Sequence, residues 1–291
     1  MVRIMDGKSL AEEIKQEITA RSKSMKEERG TTPTLATILV GEDSASSTYV
    51  NGKCRDCEEV GIDFILHELT ASISERELLD LIDELNCDLK VHGIVVQYPL
   101  PRHIDRRKVM TSIKPQKDVD GLHPYNVGKL WLGKYDLDSA LLPCTPKGIL
   151  KLLDRYELKL EGKLAVIINR SDLVGKPLSK LFLDRNATVI ICHSKTPKLE
   201  RLARSADVLV SAVGKRPGFV VSENMVKEGA VVVDVGMNYI GGKLQGDVDF
   251  DRVKEKASYI TQVPGGIGPM TRAMLLQNVL IAAENQGDQF E

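Results

Sequence analysis

Aromatic residues are scarce in this chain: they make up 4% of 291 residues, with a single tryptophan. So thin a supply excludes the extended stacking surface that single-stranded nucleic acids need. Excess charge of either sign is also missing. Lys and Arg number 40 against 41 Asp and Glu, for a formal net charge of −1, which gives no electrostatic reason to bind nucleic acid or a membrane surface. Any anionic ligand must therefore be held by a local cluster of positive groups. No apolar run approaches the ~18–20 residues that span a bilayer. The opening MVRIMDGKSLAEE lacks the apolar stretch of a signal peptide, so a cytoplasmic location is expected.

Cysteine is sparse and scattered. The five residues Cys54, Cys57, Cys87, Cys144 and Cys192 are odd in number, which suits reduced thiols rather than a disulfide framework. Cys54 and Cys57 do form a C-x-x-C. With no second such pair, no suitable histidine pair and a mid-helix position, packing explains them better than zinc or redox chemistry, and no metal is expected. The dinucleotide fingerprint GxGxxG is absent too.

What is present is the composition of a globular protein, 42% hydrophobic and 28% charged, at a length that suits two domains of ~150 residues each. Ser9 followed by Glu12 has capping-box spacing, and Leu10, Ile14 and Ile18 recur at helical intervals, with Gly30 as the stop. TLATILV (34–40) is a strand, 44–60 a helix closed by Gly61, and 63–68 a strand. Ser74 with Glu77 opens the next helix, and GIVVQ reads as a buried strand ending at Gln97. Strands alternating with helices predict parallel α/β architecture. The segment from Ile113 to Pro146 breaks that rhythm and is where the domain transition is placed. The alternation then resumes with strands at 164–168, 188–192, 208–213 and 231–235, and a last helix over 270–284.

In the second half, LAVIINRSDLVGKP is a strand, a loop and a helix opening near Gly175. In a doubly wound sheet, this first turn is where a pyrophosphate meets backbone N–H groups and the helix dipole; an ordinary βα turn looks the same. The second strand separates the two readings. Its end normally carries an Asp or Glu that binds the ribose hydroxyls of NAD, but here it reads CHSKT, with Ser194, Lys195 and no acid. Arg170 lies in the preceding loop. Guanidinium and hydroxyl groups without a carboxylate suit a 2′-phosphate, so NADP is the expected cofactor. Lys195 alone is more often a solvated surface charge.

In the first half, Tyr49 and Lys53 stand four apart on a helix and share one face. Such a pair is usually a surface pair, but Gln97 ends a buried strand, and ligands collect at the carboxyl ends of parallel strands. Asp118 and Asp120 in KDVDGLHP lie in the transition segment, a favoured place for a cleft. A carboxylate pairing with adjacent N–H donors of a heterocycle fits them better than a metal. VPGGIGPMT (263–271) is a glycine-proline loop opening a helix, and its glycines permit close backbone approach to a ligand.

Together, VGEDSASSTYVNGK, GIVVQYPLP, KDVDGLHP, PCTPKG, RSDLVGKP, CHSKT, DVG and VPGGIGPMT resemble the methylenetetrahydrofolate dehydrogenase/cyclohydrolase family, in order and over nearly the whole chain. The resemblance implies an α/β protein of two domains, with an active-site cleft between an N-terminal substrate domain and a Rossmann-like NADP-binding domain. It assigns residues 1–140, completed by the helix at 270–291, to the folate-binding catalytic domain and 141–269 to the NADP-binding domain. It also implies oxidation of methylenetetrahydrofolate by NADP, then hydrolysis of the methenyl product to formyltetrahydrofolate in one shared site.

By position, Lys53 matches the family's catalytic lysine and Gln97 the glutamine bonded to it. Tyr49 matches the tyrosine packed on the folate, and Asp120 the aspartate that recognises the pterin. Pro264, Gly265 and Gly266 fall to the substrate. Arg170 and Ser194 match the 2′-phosphate contacts, and Asn169, Ser171 and Met237 fall at cofactor-contact positions. The resemblance further implies tetrahydrofolate one-carbon derivatives as substrates and a homodimer.

Some positions depart from the family pattern. Asn169 stands where the family generally has Gly, which would place a side chain beside the cofactor. Tyr98, Met237 and Gln262 differ more mildly. Two alternatives to the bifunctional enzyme are a dehydrogenase without useful cyclohydrolase activity and a silent NADP- or folate-sensing protein. Retention of Lys53, Gln97 and Asp120 together argues against the silent protein.

Overall fold

The structure is a computed structural model that describes residues 2–41, 44–133 and 135–287, with residues 44–48 as backbone only. Along the chain run β1 (Arg3–Met5), α1 (Gly7–Arg29), β2 (Thr34–Val40), α2 (Ser44–Val60), β3 (Asp63–Leu69), α3 (Glu75–Cys87) and β4 (Gly93–Val96). Then come α4 (Arg106–Ser112), α5 (Pro124–Trp131), α6 (Cys144–Arg155), β5 (Leu164–Ile168), α7 (Gly175–Asp184), β6 (Thr188–Cys192), α8 (Leu199–Arg204) and β7 (Val208–Ser211). The last elements are β8 (Val231–Asp234), β9 (Asn238–Ile240), β10 (Lys243–Gln245), α9 (Phe250–Val253), β11 (Tyr259–Thr261) and α10 (Ile267–Gly287). No helix among the described residues is long and apolar enough to cross a membrane.

The chain divides into two compact units. One comprises Met1–Glu12 with Thr145–Thr271, the other Glu13–Cys144 with Arg272–Glu291. The second unit holds a three-stranded parallel sheet, β3-β2-β4. β2 is central and buried along its whole length, which is why it reads as a continuous apolar run rather than an alternating one. Ala36, Ile38, Val40, Ile94 and Val96 form a core with Leu78, Ile82 and Leu85 of α3 and Val109 of α4. α3 begins with the expected reciprocal cap, the Ser74 hydroxyl taking the Glu77 N–H and the Glu77 carboxylate taking the Ser74 N–H. α1 begins earlier than the Ser9/Glu12 spacing suggests. Asp6 Oδ1 accepts the Ser9 N–H at 3.0 Å, so Asp6 supplies the cap and Ser9 already lies within the first turn.

The other unit holds a six-stranded sheet in the order β1-β11-β8-β7-β5-β6, every pairing parallel. The strand order reverses direction around β5, the arrangement in which ligands gather at the carboxyl ends of the strands. Its core packs Val166, Ile168, Leu209, Val232 and Ile260 against Ala203, Val226 and Val253. β1 joins this sheet beside β11, with Ile4 opposite Ile260.

Candidate active site

α2 presents Val50, Lys53, Cys57 and Val60 at helical spacing, and all four are buried. Lys53 thus occupies a core-facing position, 5% exposed, and the surface-pair reading of Tyr49 and Lys53 is removed. Its Nζ lies 5.0 Å from the centroid of the Tyr49 ring and donates to Gln97 Oε1 at 3.1 Å. Gln97 is the first residue past β4, held by its N–H on the Ile38 carbonyl at 2.8 Å. Gln97 Nε2 donates to the Tyr98 carbonyl at 3.1 Å, so the amide oxygen is the end that faces the lysine.

The two aspartates divide their work. The segment around Asp118 runs beside β4, bridged in parallel at Ile94 and bonded from the Ile94 N–H to the Lys117 carbonyl at 2.8 Å. Asp118 is buried and accepts from the Leu122 N–H (3.1 Å), the His123 N–H (2.7 Å) and Asn126 Nδ2 (2.8 Å). It ties down the turn, and Gly121 closes that turn at φ 70°, where a Cβ would meet the Leu142 carbonyl carbon at 2.3 Å. Asp120, two residues beyond the bridge, stays half-buried and level with the end of β4. Asn278 of α10 braces this segment, donating through Nδ2 to the carbonyls of Val119 and Leu142, both at 2.8 Å.

Burial dominates the electrostatics here. It pulls the Lys53 amine below the ordinary lysine value, with Asp120, Cys144 and Cys57 opposing more weakly. It pushes the Asp120 carboxyl up, with Lys53 opposing and Asp118 reinforcing. The Tyr49 hydroxyl is raised by the same cause. Both members of the Lys53–Asp120 pair are thus driven toward neutrality, because desolvation outweighs their mutual attraction. An amine with a free lone pair, held by one N–H bond to Gln97, can accept a proton.

Three residues of this neighbourhood carry no sequence signal strong enough to single them out. Cys144, buried at the head of α6, acts electrostatically on both Tyr49 and Lys53. Asp56 is 6% exposed and pairs with Arg272 Nε at 2.9 Å. The spacing of Asp56 from Lys53, one helical turn, is the only hint the sequence offers. Of the C-x-x-C, Cys54 donates to Glu58 at 3.5 Å, and burial pushes the Cys57 thiol up to about 12, away from the thiolate a metal would need. Among the described residues no group of three His, Cys, Asp or Glu side chains is placed to hold a metal.

The remaining candidates lie in the other unit, at the carboxyl ends of its strands. β5 and β6 pair in register up to Ile168 and Cys192. Arg170 and Ser194, each two residues further on, are both exposed. The end of β6 offers His193, Ser194, Lys195 and Thr196 and no carboxylate. The acid in the β5 turn, Asp172, is paired with Lys176 at 2.5 Å. A guanidinium and a hydroxyl without a free acid are a donor set that fits the extra phosphate of NADP. Met237 follows Gly236 and is 48% exposed.

Beneath these strand ends sits a pair of buried acids. Asp247 accepts from Ser211 Oγ (2.8 Å), the Val213 N–H (2.6 Å), the Gly214 N–H (2.9 Å) and Asn238 Nδ2 (3.2 Å). Asp234 takes the N–H groups of Gly236, Asp247 and Val248, all at 2.9 Å. Burial pushes Asp234 up to about 6, against those three bonds. Pro264, Gly265 and Gly266 also belong to this unit, where the Gly265 carbonyl accepts the Lys8 N–H at 2.9 Å. Asn169 stands at the end of β5, half-buried. Its side chain folds back into the turn, and its backbone is not among the residues with positive φ.

A buried amine poised as a base and an all-parallel sheet whose strand ends carry phosphate-type donors define a dinucleotide-dependent enzyme of two α/β units. Residues 5–120 match the model of the tetrahydrofolate dehydrogenase/cyclohydrolase catalytic domain, and residues 143–287 match that family's NAD(P)-binding domain. The chain is 53% identical over 279 residues to the bifunctional protein FolD of Cenarchaeum symbiosum, covering 96% of this chain and 97% of that one. Among solved structures, it is similar to the FolD methylenetetrahydrofolate dehydrogenase/cyclohydrolase of Campylobacter jejuni, with TM-score 0.93 and 49% identity over 98% of this chain and 99% of that one. It is also similar to the Trypanosoma brucei methylenetetrahydrofolate dehydrogenase-cyclohydrolase complexed with NADP and an inhibitor, with TM-score 0.91 and 35% identity over 98% of each chain. The chain belongs to the tetrahydrofolate dehydrogenase/cyclohydrolase family.

Proposed function

We infer that this chain oxidises methylenetetrahydrofolate with NADP and hydrolyses the resulting methenyl cation to formyltetrahydrofolate. The observation that carries this reading is the buried Lys53 amine, lowered by desolvation and held on Gln97, within a chain of this family. NADP, when bound, supplies the hydride acceptor. Arg170 and Ser194 would hold its 2′-phosphate, and the turn of Ser171 and the exposed Met237 would line its path.

Hydride removal asks the protein for alignment more than for a base. The flat Tyr49 ring beside Lys53 offers a surface on which the folate can lie. Asp120, which no donor among the described residues bonds, offers a carboxyl to adjacent N–H groups of the pterin. Hydrolysis does need a proton acceptor. As water adds to the methenyl carbon, the neutral Lys53 amine takes the water's proton. One C–N bond then breaks as the adduct's hydroxyl becomes the formyl C=O: the lysine ammonium returns its proton to the leaving nitrogen, and the hydroxyl proton is released to solvent. A cationic substrate beside Lys53 further disfavours its protonated form, since like charges oppose each other.

A homodimer in the cytoplasm accompanies this reading as the family's expected assembly and location. Absorbance-monitored oxidation of methylenetetrahydrofolate with NADP and NAD in parallel tests the reading. Much faster turnover with NADP supports it. A preference for NAD removes the Arg170/Ser194 assignment, and no turnover with either removes the activity.

A further inference from the structure

The turn that joins β5 to α7 is closed by its own side chains. Asn169 Oδ1 accepts three donors: the Ser171 N–H at 2.7 Å, the Ser171 hydroxyl at 2.7 Å and the Gly175 N–H at 3.0 Å. Ser171 Oγ in turn accepts the Val174 N–H at 3.1 Å, and the Ser171 carbonyl accepts the Lys176 N–H at 3.1 Å. Residue 177 is proline and has no N–H. The amides of residues 174, 175 and 176, which at a helix start ordinarily await an anion, are therefore already taken. Gly175 lets the helix close on this knot, since a Cβ there would stand 2.1 Å from the Asn169 carbonyl oxygen.

The other end of the Asn169 amide reaches sideways. Nδ2 donates to the Ala212 carbonyl at 2.6 Å, just past β7 and next to Val213 and Gly214, which Asp247 holds. One side chain thus links the ends of two adjacent strands and caps the helix between them. Arg170 sits between two anchored neighbours, Asn169 and Ser171, so its backbone is fixed while its guanidinium stays exposed.

Resting on the NADP reading above, we propose that Asn169 is a positioning residue for the cofactor. Its amide fills the anion place at the start of α7 and holds the turn in the shape that presents Arg170 and Ser171. The dinucleotide phosphates are then held by side chains at the strand ends rather than by the first amides of α7. A Gly at position 169 would leave the Ser171 and Gly175 amides without this acceptor, whereas the asparagine exchanges them for a preformed turn.

The test is titration calorimetry of NADP binding to the full-length wild type, Asn169→Ala and Asn169→Asp, with NADP-independent hydrolysis of methenyltetrahydrofolate measured alongside. Asn169→Ala removes the four bonds made by the Asn169 side chain and should weaken NADP binding about tenfold or more. Asn169→Asp keeps an acceptor for the three donors but faces the Ala212 carbonyl with an oxygen and adds a negative charge near the phosphates. It should also weaken NADP binding, and more so at low salt than at high salt. Should Asn169→Ala not fold, Asn169→Asp carries the test through that salt dependence. Unchanged or tighter NADP binding by the folded variants would overturn the proposal. Absence of NADP binding by the wild type would instead overturn the cofactor reading on which it stands.

Discussion

Lys53 Nζ donates to Gln97 Oε1 at 3.1 Å, and the acceptor is itself fixed by the bond from Gln97 Nε2 to the Tyr98 carbonyl. The neutral amide can hold the amine without charging it. Gln97→Glu places a carboxylate at the same position, and an adjacent opposite charge raises a lysine's pKa.

The wild-type pH profile follows from the direction in which burial moves the Lys53 amine. Its pKa lies below the ordinary 10.5, and the active form is the neutral amine. Cyclohydrolase activity above the spontaneous rate should therefore rise with pH and level off below 10.5. In Gln97→Glu the midpoint of that rise should move to higher pH. Activity at neutral pH should then fall about tenfold for every pH unit the midpoint moves. Initial rates of methenyltetrahydrofolate decay across pH check this; an unmoved midpoint would contradict it.

The cofactor assignment predicts a selective loss. Arg170→Ala should raise the KM for NADP by roughly 10–100-fold, the range expected for a lost hydrogen bond to a charged group. The KM for NAD should change little, because NAD lacks the 2′-phosphate. Parallel saturation curves decide the matter, and an equal loss for both nucleotides would place Arg170 on the shared part of the dinucleotide.

Asn278 links stability to the site. It is fully buried, and its donation to the Val119 and Leu142 carbonyls holds the turn that carries Asp120. Asn278→Ala leaves two buried carbonyls without that donor and should cost about 2–4 kcal/mol. Urea unfolding measures the cost. The KM for folate should rise at the same time as Asp120 loses its support, and a stability loss without that rise would separate the two roles.

How much of this was legible in the sequence depends on what each residue touches. β2, β5 and β6 were readable to the residue or nearly so, because strands buried within a parallel sheet appear as unbroken apolar runs bounded by turns. β1 and β11 were not. Each is three residues long, too short to show a period, and their pairing joins opposite ends of the chain. Tyr49, Lys53, Gln97 and Asp120 could be named because they lie in dense motifs, and the structure brings all four into one unit. The Asp234–Asp247 knot, the Asp56–Arg272 pair and the inward turn of Asn169 depend on tertiary hydrogen bonds that leave no pattern along the chain. The engagement of the α7 amides is hidden for the same reason. The helix start was correctly placed, but only the fold shows that its first amides are already engaged.

The most direct test is the hydrolysis of methenyltetrahydrofolate by Lys53→Met, with circular dichroism as a control for folding. Loss of the proton acceptor should lower the catalysed rate by roughly 10²–10⁴-fold, the usual contribution of a positioned base. NADP binding should persist, since Arg170 and Ser194 are untouched. A folded Lys53→Met protein that hydrolyses the substrate at the wild-type rate would contradict the central claim that the buried amine activates water.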